Sequence, residues 1–230
     1  MSIKSILELT IPEKKVAVVW FNNYSGVIVK TSKSIAIFDP VDIKPEDVLN
    51  ADVIVITHEH YDHFEPKTVV KIWKQTDATI VTTPYIAKQL KEVPSVKIKA
   101  LNVGEEVTIG SIKLNAEHSS HPANQPLTFV LTTSENVKVY HSSDSKPYPE
   151  MRKIGEKYNI DIAFCTVGIA PGASPVSGAE IAELINPKIA IPYHTDKPEN
   201  LQKFAEVLAG KTKEIKPKII RQLEVYQYPE

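Results

Sequence analysis

An α/β fold of layered sheets and helices is what this sequence predicts, and three observations predict it. Short Val- and Ile-rich runs recur along the chain, bounded by Asn, Ser, Gly and Lys turns. Two of them, DVIVIT (52–57) and IAFCTV (162–167), are continuously apolar, as expected for strands covered on both faces. Between the runs lie segments of helical period, so each half reads as several strands followed by strand–helix alternation. No convincing sequence repeat accompanies that pattern, and no segment has linker composition. A single domain over residues 1–230 is therefore expected.

Taken in order, residues 16–21, 26–31 and 34–38 read as strands separated by polar turns, and 52–57 as a buried strand. Residues 65–75 change period: Val69, Val70 and Trp73 share one helical face. A strand at 78–81 and a helix opened by Pro84 (PYIAKQLKEV) follow, proline being tolerated in a first turn. Further strands are expected at 96–101, 105–108, 111–117, 127–133 and 137–141, with a turn at Gly110. A helix at 149–158 precedes the strand at 161–167. Ser177 and Glu180 have capping-box spacing, which predicts a helix from Ser177 to Ile185. A strand at 188–191, a helix at 199–208 and a strand near 219–226 complete the series. The loop GIAPGASP (168–175) is the clearest irregular insertion.

Composition narrows the function. The 230 residues carry 27 Lys+Arg against 28 Asp+Glu, a net charge of −1. That balance offers no basic excess to neutralise phosphates and argues against a nucleic-acid partner. No apolar run is long enough to span a membrane. The start, MSIKSILELTIPEKK, lacks the pattern of a secretory signal, so a cytoplasmic protein is expected. Cys165 is the lone cysteine, which excludes a disulfide framework and a thiolate-rich metal site; its apolar surroundings predict a core thiol. A small-molecule substrate is the expected partner, and a homo-oligomer is left open.

The seven histidines are unevenly spread. DVIVITHEHYDHF places His58, His60, Asp62 and His63 directly after a buried strand, where side chains leaving the sheet can converge. An HxHxDH cluster arises by chance in roughly one chain in several thousand of this composition. Imidazole and carboxylate together suit divalent ions, zinc first, with manganese, iron or nickel also accepted. Two such ions could share and activate a water. One loop cannot supply both, and further donors stand at later strand ends: His118 and His121 in AEHSSH, Asp144 in YHSSDS, and His194 in PYH.

In this order of motifs the chain resembles the metallo-β-lactamase superfamily. It is most similar to the small metal-dependent hydrolases of the ascorbate-phosphate lactonase-like, UPF0173-type group. The resemblance rests on Asp39 in AIFDP, THEHYDHF, the histidine of AEHSS, the aspartate of YHSSDS and the histidine of PYH. It implies a four-layer αββα sandwich, two mixed sheets flanked by helices, with two metal ions at one edge. Carried over, one ion takes His58, His60 and His118, the other takes Asp62, His63 and His194, and Asp144 bridges them. His118 is preferred to His121 because it matches the family spacing to Ser119-Ser120. Asp62 is expected to accept a proton from the attacking water, His141 to act in the pocket, and Asp39 to brace the metal loop. The implied activity is hydrolysis of a lactone, ester, amide or phosphodiester. The alternatives are a nuclease of the same fold and a metal-bound, non-enzymatic binding protein. A di-iron redox protein would carry Glu in place of His60. The chain departs from the family in having Ser143 where glycine precedes the bridging Asp. It also lacks the family's Gly-His pair near Trp20–Tyr24, and its 168–175 loop replaces a Thr-Met stretch.

Overall fold

The computed structural model describes residues 1–230. Alternation along the strands shows how it is layered. In β1 (Val16–Trp20), Val16, Val18 and Trp20 belong to one apolar cluster, while Val19 belongs to another. In β3 (Ile35–Phe38) Ala36 and Phe38 face the first cluster and Ile35 and Ile37 the second; in β4 (Val53–Val55) Val53 and Val55 oppose Ile54 in the same way. A period of two with both faces apolar means a sheet covered on both sides. The first cluster is shared with the strands of a second sheet; the second is closed by helices.

Two seven-stranded sheets result. The first runs β14-β1-β2-β3-β4-β5-β6, adding β2 (Val27–Lys30), β5 (Thr79–Thr82), β6 (Ile98–Ala100) and β14 (Tyr226–Tyr228). The second runs β13-β12-β11-β10-β9-β8-β7. It comprises β7 (Glu106–Ile109), β8 (Ile112–His118), β9 (Leu127–Thr132), β10 (Lys138–His141), β11 (Ile162–Thr166), β12 (Ile189–Tyr193) and β13 (Lys216–Pro217). In each sheet four strands pair antiparallel and three more continue in parallel. The strand-then-alternation pattern of the sequence is thus a repeat of topology. The C-terminal β14 supplies the first sheet with the edge that β7 supplies to the second.

Helices α1 (Ile3–Glu8), α2 (Pro66–Thr76) and α3 (Pro84–Ala87) cover the first sheet; α4 (Met151–Tyr158), α5 (Pro175–Ile185) and α6 (Pro198–Lys211) cover the second. The αββα sandwich is therefore present. Burying Val69, Val70 and Ile72 on α2 stabilises the layer by about 1.5–3 kcal/mol for each side chain; Trp73 lies at its margin. No helix is long and apolar enough to cross a membrane.

Three expectations are corrected. α3 ends at Ala87 rather than running to Val93; the chain turns to bury Leu90 and Val93 before Pro94, which disfavours helix at the residue before it. α5 starts three residues early. Ser174, not Ser177, is its N-cap, with Pro175 in the first turn, and Ser177 closes the reciprocal capping box. The strand expected near 219–226 is instead two short edges, β13 and β14.

Candidate metal centre

Parallel strands share a direction, so the loops leaving their C-terminal ends gather at one edge of the sandwich. Asp39 follows β3, Thr57 and His58 follow β4, Asp144 follows β10 and His194 follows β12. The exits are abrupt. Asp39, Ser143 and His194 have φ of 44°, 49° and 60°, the left-handed region that non-glycine residues rarely adopt.

Two groups of donors meet there. His58, His60, His121 and Asp144 form one, and Asp62, His63 and His194 the other; within each, the donor atoms lie within 4.8 Å of one another. In the first group His60 Nδ1 is 3.1 Å from His58 Nε2 and 3.0 Å from His121 Nε2. Asp144 Oδ2 is 3.9 Å from His58 Nε2 and 3.7 Å from His121 Nε2. Its other oxygen, Oδ1, is 2.9 Å from His63 Nε2 and 3.0 Å from His194 Nδ1. Asp62 Oδ2 lies 3.5 Å from His194 Nε2. Asp144 thus turns one oxygen to each group.

Beneath the histidines a buried hydrogen-bond network fixes which ring nitrogen carries the proton. Asp39 accepts at Oδ2 from the Thr57 hydroxyl (2.8 Å) and the Ser25 hydroxyl (2.7 Å), and at Oδ1 from the Thr57 N–H (2.8 Å). The Ser143 hydroxyl donates to Thr57 Oγ1 at 2.9 Å. With those hydroxyl protons committed, only lone pairs face His58 Nδ1 (3.1 Å from Thr57 Oγ1). Likewise only acceptors face His63 Nδ1, at 2.7 Å from both Ser25 Oγ and Asp39 Oδ2. Both rings must donate through Nδ1, which leaves each Nε2 as a bare lone pair directed into the cluster.

That arrangement fits cations. His63 Nε2 and Asp144 Oδ1 face each other at 2.9 Å, yet both are buried without a hydrogen-bond partner, as is His194 Nε2. Two opposed lone pairs need a proton or a metal ion between them. The electrostatics agree. Burial disfavours the charged form of His63, but the Asp144 and Asp39 carboxylates outweigh it and drive its pKa well up. His194 is raised despite burial by the Asp144 and Asp62 carboxylates beside it. Against burial, the His63 charge and the adjacent His194 ring hold Asp144 far below the usual carboxylate range. Asp62 is lowered in the same sense, chiefly by His194. Burial and the His63 charge push His58 strongly down, keeping it a neutral donor.

Of the sequence-predicted residues, the structure brings together His58, His60, Asp62, His63, Asp144 and His194. It does not bring His118. β8 continues through His118, whose backbone pairs with Leu127, and its exposed ring meets Tyr148 edge-on at 5.0 Å. The chain leaves the sheet only after it, and His121 turns back to the cluster, so the preference for His118 over His121 is corrected. The pocket role expected for His141 is corrected too. Its ring is stacked on Phe38 with 1% exposure, its Nε2 bonds the Ser25 carbonyl and its Nδ1 accepts from the Ser143 N–H. It supports two loops of the site from below, and burial lowers its pKa to about 4. Sequence patterns single out neither Ser25 nor Thr57 as a site residue, and they mark Ser143 only as a departure from the family's glycine. Tyr24 reaches the rim, its ring 6.3 Å from those of His194 and Tyr61. The 168–175 loop abuts the second group: Ile169 N–H bonds the His194 carbonyl, and a Cβ on Gly168 would collide with Thr195.

The chain is similar to several known proteins. A family model described as the beta-lactamase superfamily domain matches residues 26–195. A UPF0173 metal-dependent hydrolase of Pyrobaculum aerophilum is 34% identical over 157 residues, 65% of this chain and 68% of that protein. A UPF0173 metal-dependent hydrolase of Bacillus subtilis is 29% identical over 215 residues, 84% of this chain and 93% of its own. Among solved structures, Igni18, a metallo hydrolase from the archaeon Ignicoccus hospitalis, matches with a TM-score of 0.80. That match covers 94% of this chain and 99% of Igni18 at 19% identity, a likeness of fold.

Proposed function

The chain belongs to the beta-lactamase superfamily and is a metal-dependent hydrolase of that fold; from this premise we propose that it works with two divalent ions, zinc first among them, on a small-molecule substrate. His58, His60 and His121 would hold one ion and Asp62, His63 and His194 the other, with Asp144 offered to both. Asp144, with one oxygen toward each donor group, is the observation that carries the reading. When bound, the pair supplies a water of lowered pKa and stabilises charge developing on a carbonyl or phosphoryl oxygen.

The protein's own contribution is preorganisation. Asp39, Thr57, Ser25 and Ser143 hold His58 and His63 in the donor tautomer before any ligand arrives. Asp62, ionised and nearly buried, accepts the proton of the attacking water at its carboxylate. Tyr24 and the exposed Tyr61 form the rim over which substrate enters. The near-zero net charge supports a small molecule over a nucleic acid.

The test is elemental analysis together with a screen of lactones, esters, amides and phosphodiesters on zinc- and manganese-loaded protein. About two ions per chain and turnover that falls with Asp62→Ala are expected. Two ions with no turnover of any class would favour a binding protein; one ion or none would refute the paired centre.

A further inference from the structure

A cavity of about 510 Å³ opens beside the second donor group, lined by Trp20, Asn23, Asp196, Pro198, Leu201 and Arg221 among others. Its wall adjoins the metal edge through the chain: Asn23 precedes Tyr24, whose ring is 6.3 Å from that of His194. Thr195, which also lines it, directly follows His194. Asn23 lies two residues from Ser25, whose hydroxyl contacts His63.

Arg221 is one of only two arginines, against 25 lysines. Its backbone is held in a tight turn. Arg221 N–H bonds the Glu224 side chain, Glu224 N–H bonds the Arg221 carbonyl, and Leu223 N–H ties the turn to Trp20 at the end of β1. Gln222 donates to Asn23 Oδ1 at 2.5 Å, joining this turn to the loop that carries Tyr24 and Ser25. The guanidinium itself has no ion-pair or hydrogen-bond partner, so a planar fork of donors is offered on a rigid support to the cavity. Asn23 is exposed beside it with its amide N–H groups unused. Pro198 and Leu201 add apolar wall, a combination suited to an organic ligand with a polar end. Asp196, another lining residue without an ion-pair partner, sets a limit: its repulsion grows with each further negative charge on the ligand, so a polyanion is disfavoured.

We infer that this cavity binds the carboxylate end of the substrate, with Arg221 as its counter-ion, so that the hydrolysed bond belongs to an organic monocarboxylate. The inference rests on the hydrolase reading above and names the substrate class for that site.

Two measurements test it on zinc-loaded protein. The first compares mono-(4-nitrophenyl) adipate with the neutral 4-nitrophenyl hexanoate in wild type and Arg221→Ala. The variant should raise KM for the adipate ester about tenfold or more, the loss of a charge-assisted contact, and leave the hexanoate KM within about twofold. Equal effects on both esters would overturn the assignment. The second needs no turnover. Phenylglyoxal labelling read by mass spectrometry should modify Arg221, and hexanoate, a monocarboxylate, should protect it while Arg152 labels at an unchanged rate. Inorganic phosphate should protect less than hexanoate at equal concentration. Failure of hexanoate to protect, or stronger protection by phosphate, overturns the inference. If neither ester is hydrolysed, the hydrolase reading loses support for esters while the labelling alone decides the carboxylate site.

Discussion

At the scale of single residues, the choice between His118 and His121 turns on where β8 stops. Spacing alone favours His118, but a side chain in the last rung of a ladder is oriented by the sheet, whereas one three residues later is free to turn back. His121→Ala should therefore lose the ion held with His58 and His60, and His118→Ala should keep both; elemental analysis of the two purified variants checks this. The reverse pattern would restore His118. His58, His60, Asp62 and His63 were legible because they are contiguous, and Asp144 and His194 because each stands at a strand end. The hydroxyls of Ser25, Thr57 and Ser143 were not. An isolated Ser or Thr has no periodicity; Asp39, the partner of Ser25 and Thr57, is 14 residues from the first and 18 from the second, and Ser143 reaches Thr57 across 86 residues. Ser143 illustrates a departure that the fold uses: its left-handed φ carries strain that glycine would avoid, while its hydroxyl completes the link to Thr57 and its own N–H donates to His141 Nδ1.

At the scale of elements, most of the strands and long helices follow from period and turn chemistry, while the short pieces do not. α1 has only six residues, and β13 and β14 have two and three, too few to show a pattern. At the start of α5, Ser174 and Ser177 both have cap chemistry, and Pro175 at the first helical position decides for Ser174. Packing sets limits that neither pattern nor propensity reveals. Gly155 on α4 sits against the last turn of α5, where a Cβ would overlap the Ile185 carbonyl. Gly155→Ala, favourable for helix propensity alone, should instead destabilise the protein by about 1–3 kcal/mol, as overpacking does. Urea unfolding should show this with metal content unchanged, since α4 lies on the far side of the second sheet from the first. A neutral or stabilising result would mean that α4 shifts freely on α5.

At the scale of the molecule, buried carboxylates and imidazoles at one edge make metal binding and folding a linked equilibrium. A ligand at 100 times its dissociation constant stabilises the native state by about 2.7 kcal/mol. Chelation should therefore lower the thermal midpoint, and readdition of zinc should restore it. Cys165 offers a second readout. It is fully buried on β11, and burial drives its pKa far above the usual thiol range, so at neutral pH it is an unreactive thiol. Its modification by a thiol reagent should track opening of the sandwich, slow in zinc and faster in chelator. Equal rates in both would show that the ions do not hold the two sheets together.

The position of β14 has a temporal meaning. Synthesis proceeds from β1 onward, yet β1 gains its outer partner only when Tyr226–Tyr228 emerge, after every other strand. Until then a nascent chain on the ribosome presents the free edge of β1, an invitation to pair with another chain. The turn bearing Arg221 emerges in the same final stretch. Closing the first sheet and completing the cavity wall are consequently one late event, so a polypeptide released before those residues would hold the histidines without the wall beside them.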